Sequence, residues 1–347
     1  MPNIARRLAI LALFVLLLMA LGLCGFWLLG AERLRGSLTA WEQDWRARGG
    51  EISHDDFRIT GFPMWFRAEF DHPVVGWAGG QSPWRWRGPP VRMRASPFAP
   101  RAQAQFPGRH QLFLTVLGAP LDLNIEARTA VARFRQGGGE TRYGLHGTGL
   151  DLLMNGETRL SVAQLDGEIL QLRGATDHLK PSWRVSVELD DVMPPAELLP
   201  EHFRAKVDVA SLQADVMGPF RPAFNRAAAS AWRDLGGTVE ITSLELRWGA
   251  LTINAVGTMA LDDELQPLAA LTATVTGFNQ TIDALRSTGA IQQREADAAK
   301  ALLNLLAKSP RLLGGQPELS VPITIQNQRL SLGPIALFTV PRIDWPN

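Results

Sequence analysis

At 347 residues with 46% apolar content, the chain is long enough for one large or two ordinary domains with a sizeable core. Its 35 Lys and Arg stand against 34 Asp and Glu, which argues against nucleic acid as a partner, because binding it needs a basic face to neutralise phosphates. The single cysteine, Cys24, rules out a disulfide framework and a thiolate metal centre.

Residues 1–7 are short and basic, with Arg6 and Arg7. From Leu8 to Leu29 there follow 22 residues without a charge. At about 1.5 Å each they reach about 33 Å, enough to cross a hydrocarbon core of about 30 Å. A buried core helix would keep a polar face, and this stretch has none. A cleaved signal peptide has an apolar core of about 7–15 residues followed by small residues, whereas this run continues past Cys24 into Trp27-Leu28-Leu29-Gly30. Residues 8–29 therefore read as an uncleaved single-pass transmembrane anchor, with 1–7 as a cytoplasmic tail. Arg33, Arg35, Arg46 and Arg48 lie just beyond, so counting basic residues does not set the orientation. The long trailing domain does, since such domains translocate largely regardless of charge. The expected location is the inner membrane, with the C-terminal domain in the periplasm.

The exported part begins at residue 31, and residues 31–210 and 211–347 read as the N- and C-terminal parts of one β-rich domain. GSLTAWEQDWRARGG has Leu38, Trp41 and Trp45 at helical spacing, Ser37 or Thr39 as a start cap, and Gly49-Gly50 as a stop. Trp-Arg-x-x-Gly-Gly recurs at Trp232–Gly237, in a chain with 11 tryptophans. The register continues beyond the hexamer. A shift of 187 residues sets Phe57, Ile59, Met64 and Phe66 on Leu244, Leu246, Leu251 and Ile253. Each copy alternates apolar and polar residues on both sides of a break, Gly61-Phe62-Pro63 or Trp248-Gly249-Ala250, as a hairpin would. These eight apolar residues are expected to share one surface.

Between the copies, LDLNIEA (Leu121, Leu123, Ile125) and WRVSVEL (Trp183, Val185, Val187, Leu189) alternate in the same way and are separated by close turns. Strands joined this closely pair antiparallel. SLQADVMGPF and ALTATVTGFN share Leu-x-Ala-x-Val-x-Gly, and each precedes a helical stretch, at 222–235 and at roughly 281–307. Each of those stretches precedes a Gly-Gly pair, the second being Gly314-Gly315. The fold class expected is α+β and β-rich: an N-terminal transmembrane helix, then a large, mainly antiparallel sheet with a few helices packed on one face.

The run from LGGTVEITSLELRWGALTINAVGTMALDDELQPLAALTATVTG to LSLGPIALFTVPRIDWP, together with GFPMWFRAEFDHP, resembles a bacterial family known as domain of unknown function 2125. The resemblance implies a membrane-anchored envelope protein and supplies no activity. The rhythm of Leu-x-x-Gly-x-Gly-x-Leu strands also has some similarity to AsmA-like envelope proteins, which line a lipid-conducting groove.

No catalytic pattern emerges. The six histidines show no metal-ligand spacing, and neither a nucleophile elbow nor a phosphate-binding glycine loop is present. No enzymatic activity, cofactor, metal or catalytic residue is expected. His54-Asp55-Asp56 reads as a solvated turn, and His146-Gly147-Thr148-Gly149 as an inter-strand turn that could cradle an anion. Trp84 and Trp86 alternate with Arg85 and Arg87 and, with Trp41 and Trp45, are candidates for the membrane interface. They also fit an aromatic sheet edge. The expected partner is inner-membrane lipid, and the expected activity is binding or transfer of lipid or another apolar ligand on the eight-residue surface. The alternative is a non-catalytic scaffold that assists assembly of an envelope protein complex.

Overall fold

The structure, a computed structural model, describes every residue except 1, 56, 79–82, 117–118, 196–205, 221–224, 288, 290, 308–316, 334 and 346–347. It opens on α1 (Pro2–Ala47), one unbroken helix. The separate amphipathic helix expected around Leu38, Trp41 and Trp45 is the distal end of α1. Nothing between Gly30 and Ser37 breaks the helix: the segment has no proline, and Ser37 does not act as a start cap. The helix is long and apolar enough to cross a membrane.

The strands then form one antiparallel sheet of 19 strands. Short strands come first: β1 (Gly50–Ser53), β2 (Ile59–Thr60), β3 (Phe66–Phe70), β4 (Val74–Trp77), β5 (Trp84–Arg87), β6 (Val91–Ala95), β7 (Arg101–Gln105) and β8 (Gly108–Val116). Thr60 pairs with Arg67 and Gly50 with Trp77. These pairs keep one register, so β1–β2 and β3–β4 are the two arms of a single interrupted hairpin. β5–β6 extends it in one register, and β7–β8 follows with a one-residue slip between the Arg87–Gln111 and Arg92–Gln105 pairs.

Long strands follow: β9 (Ala119–Gly137), β10 (Glu140–Met154), β11 (Thr158–Leu172), β12 (Pro181–Met193) and β13 (Val207–Met217). Next come α2 (Arg226–Asp234), β14 (Val239–Trp248), β15 (Leu251–Leu261) and β16 (Pro267–Thr276). The chain ends with α3 (Phe278–Ser287), α4 (Gln293–Leu306), β17 (Leu319–Gln326), β18 (Arg329–Leu332) and β19 (Ile335–Thr339). The helical stretch expected near 281–307 is thus a pair of helices. Each long strand pairs with the next along the chain, making a meander. Among the described residues no ladder joins β1 or β2 to β19, so the sheet is open.

Directly paired residues share a face, which lets the registers be read as rows across the sheet. One row runs Ile59, Ala68, Met93, Ala104, Ala132, Leu145, Gly167, Val187, Leu212, Leu244, Ala255, Ala273 and Val321. Every member is apolar or glycine. The row beside it on the same face starts at Phe66 and reaches Phe134, Tyr143, Ile169, Val185, Ala214, Ile241 and Leu271. The row between them, on the opposite face, runs Arg67, Arg94, Gln103, Arg133, Gly144, Glu168, Ser186, Gln213 and Ser243. The sheet is therefore amphipathic across its whole width.

Strand parity alone does not give this result, because β9–β13 change parity part-way along. Ala127 and Ala130 are both buried in β9 although they stand three positions apart. The ladders skip Gly149, Ala163, Asp191 and Asp208, which form a line across neighbouring strands. Gly149 (φ 57°) and Asp191 (φ 51°) take the left-handed conformation there. All these strands kink on one line, so the apolar face stays continuous past it.

The repeated hexamer has a common geometry. Gly49 (φ 93°) and Gly236 (φ 75°) end their helices left-handed, a backbone that costs glycine no steric strain. The second glycine of each pair lies under the tryptophan of its own hexamer. A Cβ on Gly50 would come 2.2 Å from Trp45 Nε1, and one on Gly237 would come 2.3 Å from Trp232 Nε1. Each indole then donates to a strand carbonyl: Trp45 Nε1 to Gly76 O at 3.2 Å, and Trp232 Nε1 to Met217 O at 2.8 Å. Trp-Arg-x-x-Gly-Gly is thus a clamp that fixes a helix end to the start of a strand. The second repeat also holds: Gly218 (φ 84°) and Gly277 (φ 76°) each close a strand ahead of a helix. Gly314-Gly315 lies outside the described residues.

Candidate ligand-binding face

The apolar face lacks a second layer over much of its width. α1 lies along the first strands, where Trp27 meets Phe66 and Trp45 meets Trp77 and Trp84. α3 reaches β15 and packs on α4. Among the described residues the hydrogen bonds and ring contacts that tie helices to the sheet fall outside β9–β12. There Tyr143, Leu145 and Ile169, adjacent members of the two apolar rows, are 40%, 43% and 42% exposed. The molecule exposes 21993 Å², against about 14,000 Å² for a compact monomer of 38.1 kDa. Among the described residues half of the buried apolar ones are alanines, and Leu265 is the largest side chain to be fully enclosed. Where Tyr143, Leu145 and Ile169 are exposed, the sheet is a single amphipathic layer.

The eight residues expected on one surface divide in the structure. Leu244, Leu246, Leu251 and Ile253 lie on the apolar face of β14 and β15, joined by the Trp248–Leu251 hairpin. Ile59 and Phe66 lie on the same face of β2 and β3. Met64 does not: it sits on the turn between them, 58% exposed. The first hairpin has a turn two residues wider than the second, since Ile59 pairs with Ala68 whereas Leu246 pairs with Ile253. Phe57 falls in the interruption between β1 and β2, where its ring packs on Phe70 and His54. The sequence reading missed Tyr143, Leu145 and Ile169, the most open part of the face. The apolar alternation of Tyr143, Leu145 and Gly147 was there to be read.

The four tryptophans considered for the membrane interface have protein neighbours. Trp41 stacks on Trp45, Trp45 contacts Trp77 and Trp84, and Trp86 Nε1 donates to His110 Nδ1 at 3.3 Å. Burial lowers the pKa of His110, which keeps Nδ1 free to accept. Trp45 is 18 residues beyond Trp27 along α1, about 27 Å further from the apolar run.

The opposite face carries the cross-strand ion pairs Arg142–Glu168 at 2.9 Å and Arg184–Asp215 at 2.7 Å, and His146 Nδ1 lies 2.7 Å from Asp166 Oδ1. Two shallow hollows, of about 540 and 720 Å³, open among such residues. His146 is thus half-buried and hydrogen-bonded to an acidic neighbour across the strands. These pairs are surface ladders of small individual weight.

His54 ties α1 to the sheet: its Nε2 lies 2.8 Å from Glu42 Oε1, and its Nδ1 lies 2.5 Å from the Asp55 carbonyl. Asp56 lies outside the described residues. Burial alone would push this imidazole down, but the Asp55 carbonyl and the Glu42 carboxylate outweigh it, and its pKa is raised. A raised folded-state pKa contributes stability at acidic pH that is lost as pH rises through the folded value. The wild type is therefore expected to lose more thermal stability between pH 6 and pH 8 than His54→Gln does. Equal losses would remove this link.

The architecture defines a class: a single-layer amphipathic meander preceded by a long apolar helix. The family model for uncharacterized proteins conserved in bacteria, DUF2125, matches residues 27–341, and the chain belongs to that family. The matched region begins at Trp27, where α1 meets the sheet. Neither curated proteins nor solved structures give a match.

Proposed function

We propose that this is a non-catalytic, inner-membrane-anchored periplasmic protein that binds or transfers a lipid or another apolar ligand along the apolar face of its sheet. The observation that carries this reading is the run of paired apolar residues, left exposed on β10 and β11 at Tyr143, Leu145 and Ile169. Soluble monomers rarely leave a contiguous apolar strip of this kind bare. Each buried methylene contributes about 0.8 kcal/mol, so a chain of about ten would bind appreciably even after ordering costs. α1 supports the anchor: cutting it after its apolar run would sever a helix whose distal half is docked on the sheet.

The test is site-specific photo-crosslinking of the full chain in its native membrane. A benzophenone side chain replacing Ile169, on the apolar face, is expected to yield lipid adducts. One replacing Glu168, on the polar face, is expected to yield none. Adducts to protein alone at Ile169 would favour the assembly scaffold instead.

A further inference from the structure

The geometry points to a second contact with lipid: the sheet end beside the apolar part of α1 docks on the surface of an anionic bilayer. This inference rests on the reading of α1 as a membrane anchor.

The apolar run of α1 does not end before the sheet begins. It continues to Leu29, yet Phe26 already stacks on Phe98 with ring centroids 5.9 Å apart. Trp27 Nε1 donates to the Trp65 carbonyl at 3.0 Å, and its ring meets the edge of Phe62 at 5.8 Å. About one helical turn of uncharged sequence therefore lies level with the turns at 61–65 and 96–100. If α1 spans the bilayer, these turns reach its boundary. They carry Phe62, Met64 and Phe98, exposed by 50%, 58% and 58%.

Cationic groups stand directly behind these tips. The Arg94 and Arg101 guanidinium carbons each lie 5.4 Å from the centre of the Trp65 ring. Arg133 and Arg135 line the same hollow of about 270 Å³. Arg94 bonds Gln103 Oε1 at 2.7 Å, and among the described residues none of these four arginines has a carboxylate within ion-pair distance. On the same face Arg92 and Arg142 do pair with acids, Glu69 and Glu168. Apolar tips with a cluster of guanidiniums behind them complement acyl chains under a layer of phosphates.

The full chain carrying Cys24→Ala is assembled into nanodiscs of phosphatidylcholine, with or without phosphatidylglycerol. Spin labels are placed at Met64→Cys and Phe98→Cys. Leu18→Cys serves as the reference within the anchor, and Glu188→Cys as the reference in water. Collision with oxygen and with a nickel chelate then reports lipid or water at each label. In the anionic discs, labels 64 and 98 should behave like label 18. Changing Arg94, Arg101, Arg133 and Arg135 together to Gln should abolish any difference between the two disc types. Water exposure at 64 and 98 with label 18 in lipid would overturn the docking and leave the anchor standing. Water exposure at label 18 would overturn the anchor itself. Equal lipid contact in both disc types before the arginines are changed would overturn their role on headgroups.

Discussion

Leu145→Asp is expected to remove lipid from the purified protein almost completely while leaving the fold standing. Leu145 sits mid-row between Ala132 and Gly167 and is 43% exposed. A carboxylate there can stay hydrated in the ligand-free protein, so its cost to folding should stay near the ~1 kcal/mol of an unfavourable strand residue. With an acyl chain laid along the row, the same carboxylate has hydrocarbon beside it. A charge held in hydrocarbon costs about 2.5–3.5 kcal/mol on insertion scales, and every 1.4 kcal/mol is tenfold in affinity. Lipid recovered by mass spectrometry should then fall by roughly 100-fold. The matched control is Glu168→Ala on the opposite face, which should leave recovery unchanged. Undiminished lipid with Leu145→Asp would place the ligand elsewhere or remove it from the account.

Much of this architecture is legible in the residues, and where legibility stops there is a physical cause. Alternation at Leu121, Leu123 and Ile125, or at Trp183, Val185, Val187 and Leu189, signals strands with one apolar face because side chains alternate along a strand. The order of strands in the sheet follows as well, since close turns join neighbours and a meander results. Which residues of distant strands meet is a different matter. The kink through Gly149, Ala163, Asp191 and Asp208 reverses parity in several strands together, and no single strand reveals that its neighbours reverse too. Met64 was matched to Leu251 by counting, but the first hairpin's wider turn carries it off the face.

The tryptophans show the same limit. Closeness in sequence to the anchor suggested lipid contact for Trp41, Trp45, Trp84 and Trp86. A continuous α1 instead carries Trp45 along the sheet to Trp77 and Trp84. Residues further along the chain, Phe62 and Phe98, return to the apolar part of the helix. Hairpin tips come back to one level only once the strand lengths are known, and turn residues carry no periodic signal.

Gly237→Ala is expected to cost far more than its single methyl suggests. The added carbon would lie 2.3 Å from Trp232 Nε1 and Cε2, with the indole only 7% exposed and its Nε1 bonded to Met217 O at 2.8 Å. Gly237 has no positive φ, so its backbone accepts alanine and the penalty comes from the ring. Forcing a carbon into a filled site costs about 1–3 kcal/mol, and pulling the indole off its carbonyl adds about 1 kcal/mol. A loss of about 2–4 kcal/mol should appear as a lowered denaturation midpoint with an unchanged slope. Trp232→Ala alone should cost about 3–5 kcal/mol as a large buried aromatic. Once the ring is gone the alanine at 237 has nothing to strike, so the double variant should be scarcely less stable than Trp232→Ala. That coupling is what a shared contact requires. The same cycle at Gly50 and Trp45 should give the same sign with a smaller size, because Trp45 is less buried than Trp232. Additive losses at both sites would mean that the hexamer's second glycine and its tryptophan act independently, and the clamp would be lost as the reason for the repeat.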